Sequence, residues 1–167
     1  MPRLIILEPM KLVGLCREMS QVSDETSLLW REFSARRAEV TNRASNDSIS
    51  LRVYPEDVAQ IFDPTARIYR WAAVEVRDFE TIPDGMTAWT TAGGLYAVFV
   101  HQGPATDLST FEFIFGEWLP ESDFDLDHRE HFEILPAAYR PLDPQAREEI
   151  CVPITMNMTG NGPDLLQ

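Results

Sequence analysis

The stretch REEICVPI, Arg147 to Ile154, sets a carboxylate beside a thiol on what its pattern predicts to be a β-strand. Alternate residues of a strand point to opposite faces. Ile150, Val152 and Ile154 therefore share an aliphatic face, and Glu149, Cys151 and Pro153 share the other, with Glu148 as the polar lead-in. Against bulk water Glu149 is an ordinary solvated charge. Lining a cavity, it attracts an organic cation, or, with its pKa raised by burial, serves as a general acid or base. Cys151 is a thiol on the same face, and no sequence cue supplies it with a base.

Other residues fit the same chemistry. In RIYRWAAVEV, Arg67 to Val76, the face opposite Ile68, Ala72, Val74 and Val76 carries Tyr69, Trp71, Ala73 and Glu75. Aromatic rings with isolated carboxylates suit the wall of a small-molecule pocket. The alternative is a sheet face capped by the linker that holds Trp89. His128 and His131 stand in ESDFDLDHREH, whose spacing is neither a zinc pattern nor a calcium loop, so no metal is expected. No serine-hydrolase elbow and no phosphate loop is present, and no cofactor is expected.

The elements that must hold these residues occur twice. Arg3–Glu18 reads as one long strand kinked near Pro9. A helix follows in SDETSLLWREFSARRAEVTNR, with Ser23 as N-cap and Leu29, Phe33 and Val40 at helical spacing. ISLRVY alternates as a strand, PEDVAQIFDPT is a loop with one helical turn, and RIYRWAAVEV is the next strand. The second half repeats the order: LYAVFVH after Gly93 and Gly94, a helix in TDLSTFEFIFGEWLP ending near Leu119 because Pro120 follows, then HFEIL and EEICVPITM. The linker RDFETIPDGMTAWTTA holds a short strand around Met86–Thr90. Two helices cannot cover both faces of seven or eight strands. They are expected on one face of an antiparallel α+β sheet, with a cleft on the other.

Composition limits the function classes. The chain has 167 residues, 44% of them hydrophobic, which suits one domain over residues 1–156 and a frayed tail over 157–167. No apolar run approaches the roughly 18–20 residues of a membrane helix. MPRLIILEPM lacks the features of a signal peptide, and Cys16 and Cys151 read as reduced core thiols, so a cytoplasmic protein is expected. The formal charge is −13, with Lys11 the single lysine. Such a chain repels phosphate backbones, which argues against nucleic acid. Its acidity either favours cationic partners or serves solubility.

GGLYAVFVHQGP, FGEWLPESDF, HFEIL and EEICVPI, in that order over Gly93–Ile154, resemble the bacterial effector-binding domain, also called the GyrI-like (gyrase-inhibitor-like) or AraC-type effector-binding domain. KLVGL and LLWREF carry a looser likeness in the first half. The resemblance implies two strand–helix–strand–strand units about a pseudo-twofold axis with a ligand cleft. It implies binding of hydrophobic, often cationic, drug-like molecules, in a stand-alone member without a DNA-binding domain. It places Glu149 at the pocket base and makes Glu133 the second candidate. The ligand-binding set is then Glu149, Glu133, Trp71, Tyr69, Trp89 and Cys151. Two alternatives come with it: hydrolysis of cyclopropane-type electrophiles with Glu149 or Glu133 guiding water, and a gyrase-binding or other protein-interaction role.

Overall fold

The computed structural model describes residues 1–55 and 61–158. Its strands are β1 (Arg3–Leu7), β2 (Lys11–Met19), β3 (Ser48–Val53), β4 (Ile68–Glu75), β5 (Thr87–Thr90), β6 (Gly94–Gln102), β7 (Phe124–Leu126), β8 (His131–Leu135) and β9 (Arg147–Met156). All pair antiparallel in the order β1-β6-β9-β8-β3-β4-β2-β5, with β7 added to the end of β9. The two units, β2, a helix, β3 and β4, and β6, a helix, β8 and β9, meet at the β3–β8 ladder, and the order of strands reads the same outward from that joint. The α+β class and the twofold duplication expected from the sequence are both present.

Helix α1 (Thr26–Arg36) buries Leu29 and Phe33 against Val13, Ala72 and Val74. Each such side chain contributes roughly 1.5–3 kcal/mol. Ser23 is not its cap; the Thr26 amide donates to the Asp24 carboxylate at 2.9 Å. The second helix opens as α2 (Ser109–Phe113), widens into a π-turn (Ile114–Trp118) and closes as α3 (Leu119–Glu121). It thus runs past Leu119. The wider turn, with Gly116 at its middle, shifts the hydrogen-bond register, so Pro120, which has no N–H to give, fits at the start of the last turn. Ile114, Phe111, Phe115 and Trp118 pack on Ala97, Phe99, Ile150 and Val152.

Both helices lie on one face. Register aligns Leu15, Ala72, Ser50, Glu133, Ile150 and Phe99 in one row across six strands, and α1 covers one end of that row and the second helix the other.

The expected single strand over Arg3–Glu18 is instead two strands at opposite ends of the sheet. Pro9 cannot donate to a ladder, and the chain crosses between β1 and β2 in three residues. Four Cα steps span at most about 14 Å, whereas six strand spacings of a flat sheet span about 29 Å. The sheet therefore curls until its ends approach. The short β5–β6 link makes the same crossing beside it: the Thr91 amide donates to the Met10 carbonyl at 2.9 Å, and the Met10 amide to Thr91 Oγ1 at 2.8 Å. Gly93 fits there with φ +71°, where a Cβ would sit 2.7 Å from the Leu7 carbonyl oxygen.

The curl encloses the other face. Leu12, Ile49, Leu51, Trp71, Ala73, Tyr96, Val98, Phe132 and Cys151 form a buried cluster there. Trp89 packs on Trp71 at 5.8 Å between ring centroids and donates its indole N–H to Glu130 at 3.0 Å. Arg129 donates to the carbonyls of Gly93, Leu95 and Ile154 and lies 4.7 Å over the Tyr96 ring. Cys16, expected as a core thiol, is exposed at the margin of this face, while Cys151 is buried. The tail expectation concerns residues 157–167: the Asn157 amide still bonds the Asp123 carbonyl, and 159–167 lie outside the described residues, as does most of the expected helical turn in PEDVAQIFDPT.

Gly14 sits where β2 is paired on both sides, and an added Cβ would stand 2.6 Å from Ala73 Cα and 2.8 Å from its Cβ. Gly14→Ala is expected to lower stability by about 3 kcal/mol or more. Urea unfolding checks this; a loss within about 0.5 kcal/mol, the range of neutral surface changes, would contradict the close approach of β2 and β4.

Candidate functional site

The strands of the middle of the sheet carry charge on the helix face. The apolar side chains of β3, Ile49, Leu51 and Val53, face the enclosed cluster, which leaves Ser48, Ser50 and Arg52 on the helix side. On β8, Phe132 and Ile134 face the cluster and Glu133 faces the helices. Arg52 and Glu133 meet as a close ion pair, their side chains 15% and 7% exposed. The pair is incomplete: Glu133 Oε2 and Arg52 Nε are buried with no hydrogen-bond partner among the described residues. A buried donor or acceptor left unmade costs about 1–3 kcal/mol, so such a pair is not by itself a stabilising device.

Aromatic groups surround it. The Arg52 guanidinium lies 5.4 Å over the ring of Phe111, from α2. Tyr54 follows β3 and packs edge-on against His131 at 5.3 Å. Burial, then the charges of Arg52, Arg129 and His128, push the His131 pKa down to about 3, so it stays neutral. Burial, then Glu148 and Glu133, push the Tyr139 phenol up to about 12. Glu148 lies on the helix face of β9 opposite His101 and is 7% exposed. Burial, then the charge of Glu133, raise its pKa to about 7. The site is thus a polar seam between the two helices, with Glu133 and Arg52 at its base and Phe111, Tyr54 and Tyr139 around it.

The residues expected from the sequence do not form one group. Glu133 is at the base of the seam. Glu149 lies on the opposite face of β9, on the same face as Cys151, with its carboxylate 2.7 Å from the exposed Arg3 guanidinium. Two strands, β8 and β3, separate it from β4, so it does not meet Trp71 or Tyr69. Trp71 and Cys151 are buried in the enclosed cluster with Trp89 against them, and Trp71 Nε1 finds no acceptor. Tyr69 is half-buried under the Arg67 guanidinium at 5.8 Å. The cleft expected on this face is filled by its own aromatic side chains because the linkers draw the sheet closed.

Arg52, Glu148, Tyr54, Tyr139 and Phe111 were missed, although the signal existed. Glu148 interrupts the face of Ile150, Val152 and Ile154, which alternation marks as interior, and Arg52 stands on the other face from Ile49, Leu51 and Val53. Two cavities lie apart from the seam: one of about 420 Å³ lined by Arg3, Val98, Phe99, Ser109, Thr110 and Phe113 among others, and one of about 250 Å³ beside Phe62, Phe115 and Phe124. Both are open grooves without a buried ionisable group. Among the described residues no group of three or more His, Cys, Asp or Glu is placed to hold a metal ion, and no helix is long and apolar enough to cross a membrane.

A duplicated antiparallel sheet with two helices on one face is the architecture that the resemblance to effector-binding domains implies. The chain belongs to the GyrI-like small molecule binding domain family, whose model matches residues 1–155. It is 25% identical over 154 residues to the transcriptional regulator BrlR of Pseudomonas aeruginosa; the match covers 91% of this chain but 54% of that relative, so the chain spans about half of its length. Among solved structures it is similar to SAV2435 bound to tetraphenylphosphonium, with a TM-score of 0.72, 17% identity and coverage of 93% of this chain and 94% of that one. It is also similar to a hydrolase encoded by lin2189 from Listeria innocua, with a TM-score of 0.57, 12% identity and coverage of 92% and 91%. At these identities the likeness to solved structures shows the fold.

Glu148 holds a proton in the folded protein that it has released in the unfolded chain between pH 4.5, its ordinary pKa, and about 7. Folding takes up a proton in that window, so this group lowers stability as pH rises through it. Glu148→Gln is expected to exceed wild type by up to about 3 kcal/mol above the window and to match it below. Urea unfolding across pH tests this, and a difference independent of pH would contradict it.

Proposed function

We propose that this chain binds flat, apolar small molecules in the seam between the helices, with Glu133 and Arg52 as its polar anchors. The observation that carries the reading is the buried Arg52–Glu133 pair, which keeps one oxygen and one N–H unpartnered beneath aromatic side chains. Membership of a small molecule binding family and the ligand-bound neighbour support it. Any taste for organic cations moves from Glu149 to Glu133, and a cation has to displace Arg52 to reach that carboxylate. The charge of −13 continues to argue against a nucleic-acid partner.

Calorimetric titration with 2-naphthamide, a neutral flat aromatic, tests the location. Phe111→Ala is expected to weaken binding by about 1–2 kcal/mol, the scale of a lost aromatic contact, and Glu149→Gln to leave it unchanged. The reverse order of effects would put the ligand on the other face.

A second reading is favoured by Glu148. A buried carboxyl with a pKa of about 7 is poised to exchange protons at neutral pH, as a general acid or base must. Hydrolysis of a cyclopropane-bearing electrophile is the activity this suggests, and the hydrolase neighbour shares the fold. With Glu148 as base, turnover is expected to rise with pH through about 7 and to be lost in Glu148→Gln. Intact electrophile recovered after long incubation with wild type would leave the binding reading alone.

A further inference from the structure

On the helix face the register sets Arg17 of β2, Arg70 of β4 and Arg52 of β3 side by side, with His131 of β8 next in the row. Like charges directly opposite on neighbouring strands destabilise a sheet, and the aliphatic row beside them, with Leu15 and Ala72, gives no packing reason for three. The outer two have partners. Arg17 donates to Glu32 of α1 at 2.7 Å, and Arg52 pairs with Glu133. Arg70, between them, makes no side-chain hydrogen bond or ion pair among the described residues; the carboxylates acting on it through space are Glu133 and Asp24.

The partnered arginines are unsatisfied too. Arg17 Nη1 and Arg52 Nε are both buried without an acceptor. Burial, then the charge of Arg52, hold the Arg70 guanidinium below its usual pKa. His131 stays neutral and adds no positive charge. Against these N–H groups the seam holds a single unpartnered acceptor among the described residues, Glu133 Oε2, so N–H donors are in excess. A hydroxyl or amide would bring further donors, whereas an oxyanion brings only acceptors, and the charge that guanidinium groups bind best.

We infer that Arg17, Arg70 and Arg52 form a subsite for an oxyanion, the carboxylate or phosphate of a ligand whose apolar body lies against Phe111 and Tyr54. The inference rests on the seam being the ligand site, and it reverses the charge preference expected from the sequence. Glu133 orients Arg52 in this arrangement and is not the group the ligand's charge meets.

The test is calorimetric titration near neutral pH and at low salt with 2-naphthoate and, as its uncharged match, 2-naphthamide. Wild type is expected to bind the acid at least about tenfold more tightly, the scale of one charge-assisted hydrogen bond. Arg70→Gln is expected to abolish that preference by weakening the acid far more than the amide, and Arg70→Lys to keep part of it. The melting temperature of Arg70→Gln is expected to equal or exceed that of wild type, since the change removes the middle of three like charges. Should that variant fail to fold, Arg17→Gln is expected to weaken the acid alone, by less. Parallel titration of 2-naphthyl phosphate distinguishes the two oxyanions, and preference for either over the amide supports the subsite. Equal affinity for acid and amide, or equal losses of both in Arg70→Gln, overturns the subsite while leaving the seam as a site for apolar ligands. Binding of neither compound at its solubility limit overturns the seam reading and this inference together.

Discussion

The β3–β8 ladder is the joint on which the rest depends. It pairs Ile49 with Ile134, Ser50 with Glu133, Leu51 with Phe132 and Arg52 with His131. A slip of one residue would exchange the faces of an entire strand. Phe132 and Ile134 would leave the enclosed cluster for the helix side, and Glu133 would enter a cluster built of Trp71, Leu51, Tyr96 and Val98. The apolar row that runs from Trp71 through Leu51 and Phe132 to Cys151 fixes this register. The same register sets every charge of the seam. Core packing on one face thus positions chemistry on the other.

Why the seam is polar follows from the duplication. Each helix covers the outer strands of its own unit, α1 over β2 and β4, the second helix over β6 and β9. The twofold axis passes between them, and there the helix face of β3 and β8 has no helix of its own. A sequence selected for stability alone would fill that gap with larger apolar side chains, since replacing a buried ion pair by well-packed apolar groups is often neutral or stabilising by about 1–4 kcal/mol. This chain instead keeps Ser50, Arg52 and Glu133 there, with two buried polar atoms unpartnered. The fold can carry that expense because two complete apolar clusters flank the seam and a third fills the enclosed face.

Much of the fold was legible. Period-two alternation located the aliphatic core faces of β3, β4 and β9, and the repeated strand–helix–strand–strand order implied the two helices on one face. What local pattern could not supply was the long-range geometry. Arg3–Glu18 reads as one strand because Pro9 can bend a strand or end it, and only the pairing of β1 with β6 decides between them. The enclosed face reads as a cleft because Tyr69, Trp71 and Glu149 resemble a pocket wall on a flat sheet. The curl depends on two crossings of three residues each, 8–10 and 91–93, which lie far apart in sequence, and neither shows by its own residues that it spans the sheet. Glu133 was found through the family likeness and Arg52 was not, although Arg52 stands out of phase with Ile49, Leu51 and Val53.

Glu148 and Glu149 show how finely the pleat divides function along one strand. They are neighbours in sequence, of one chemical type, and the ladder turns them to opposite faces. Glu149 meets water and an exposed arginine, where an ion pair is worth about 1 kcal/mol or less and the carboxylate behaves as a surface charge. Glu148 is buried and forms no ion pair among the described residues, and burial and the negative Glu133 outweigh the charges of His101 and Arg52, so its proton becomes shareable near neutral pH. The question that the sequence raises at REEICVPI is therefore answered one residue earlier than it was asked. The aliphatic face of Ile150 and Val152 leads at one end into the seam, because the helix that covers those residues stops short of the axis. An ionisable residue at the edge of an apolar stripe, rather than one on the mixed face opposite, marks where a core gives way to a site.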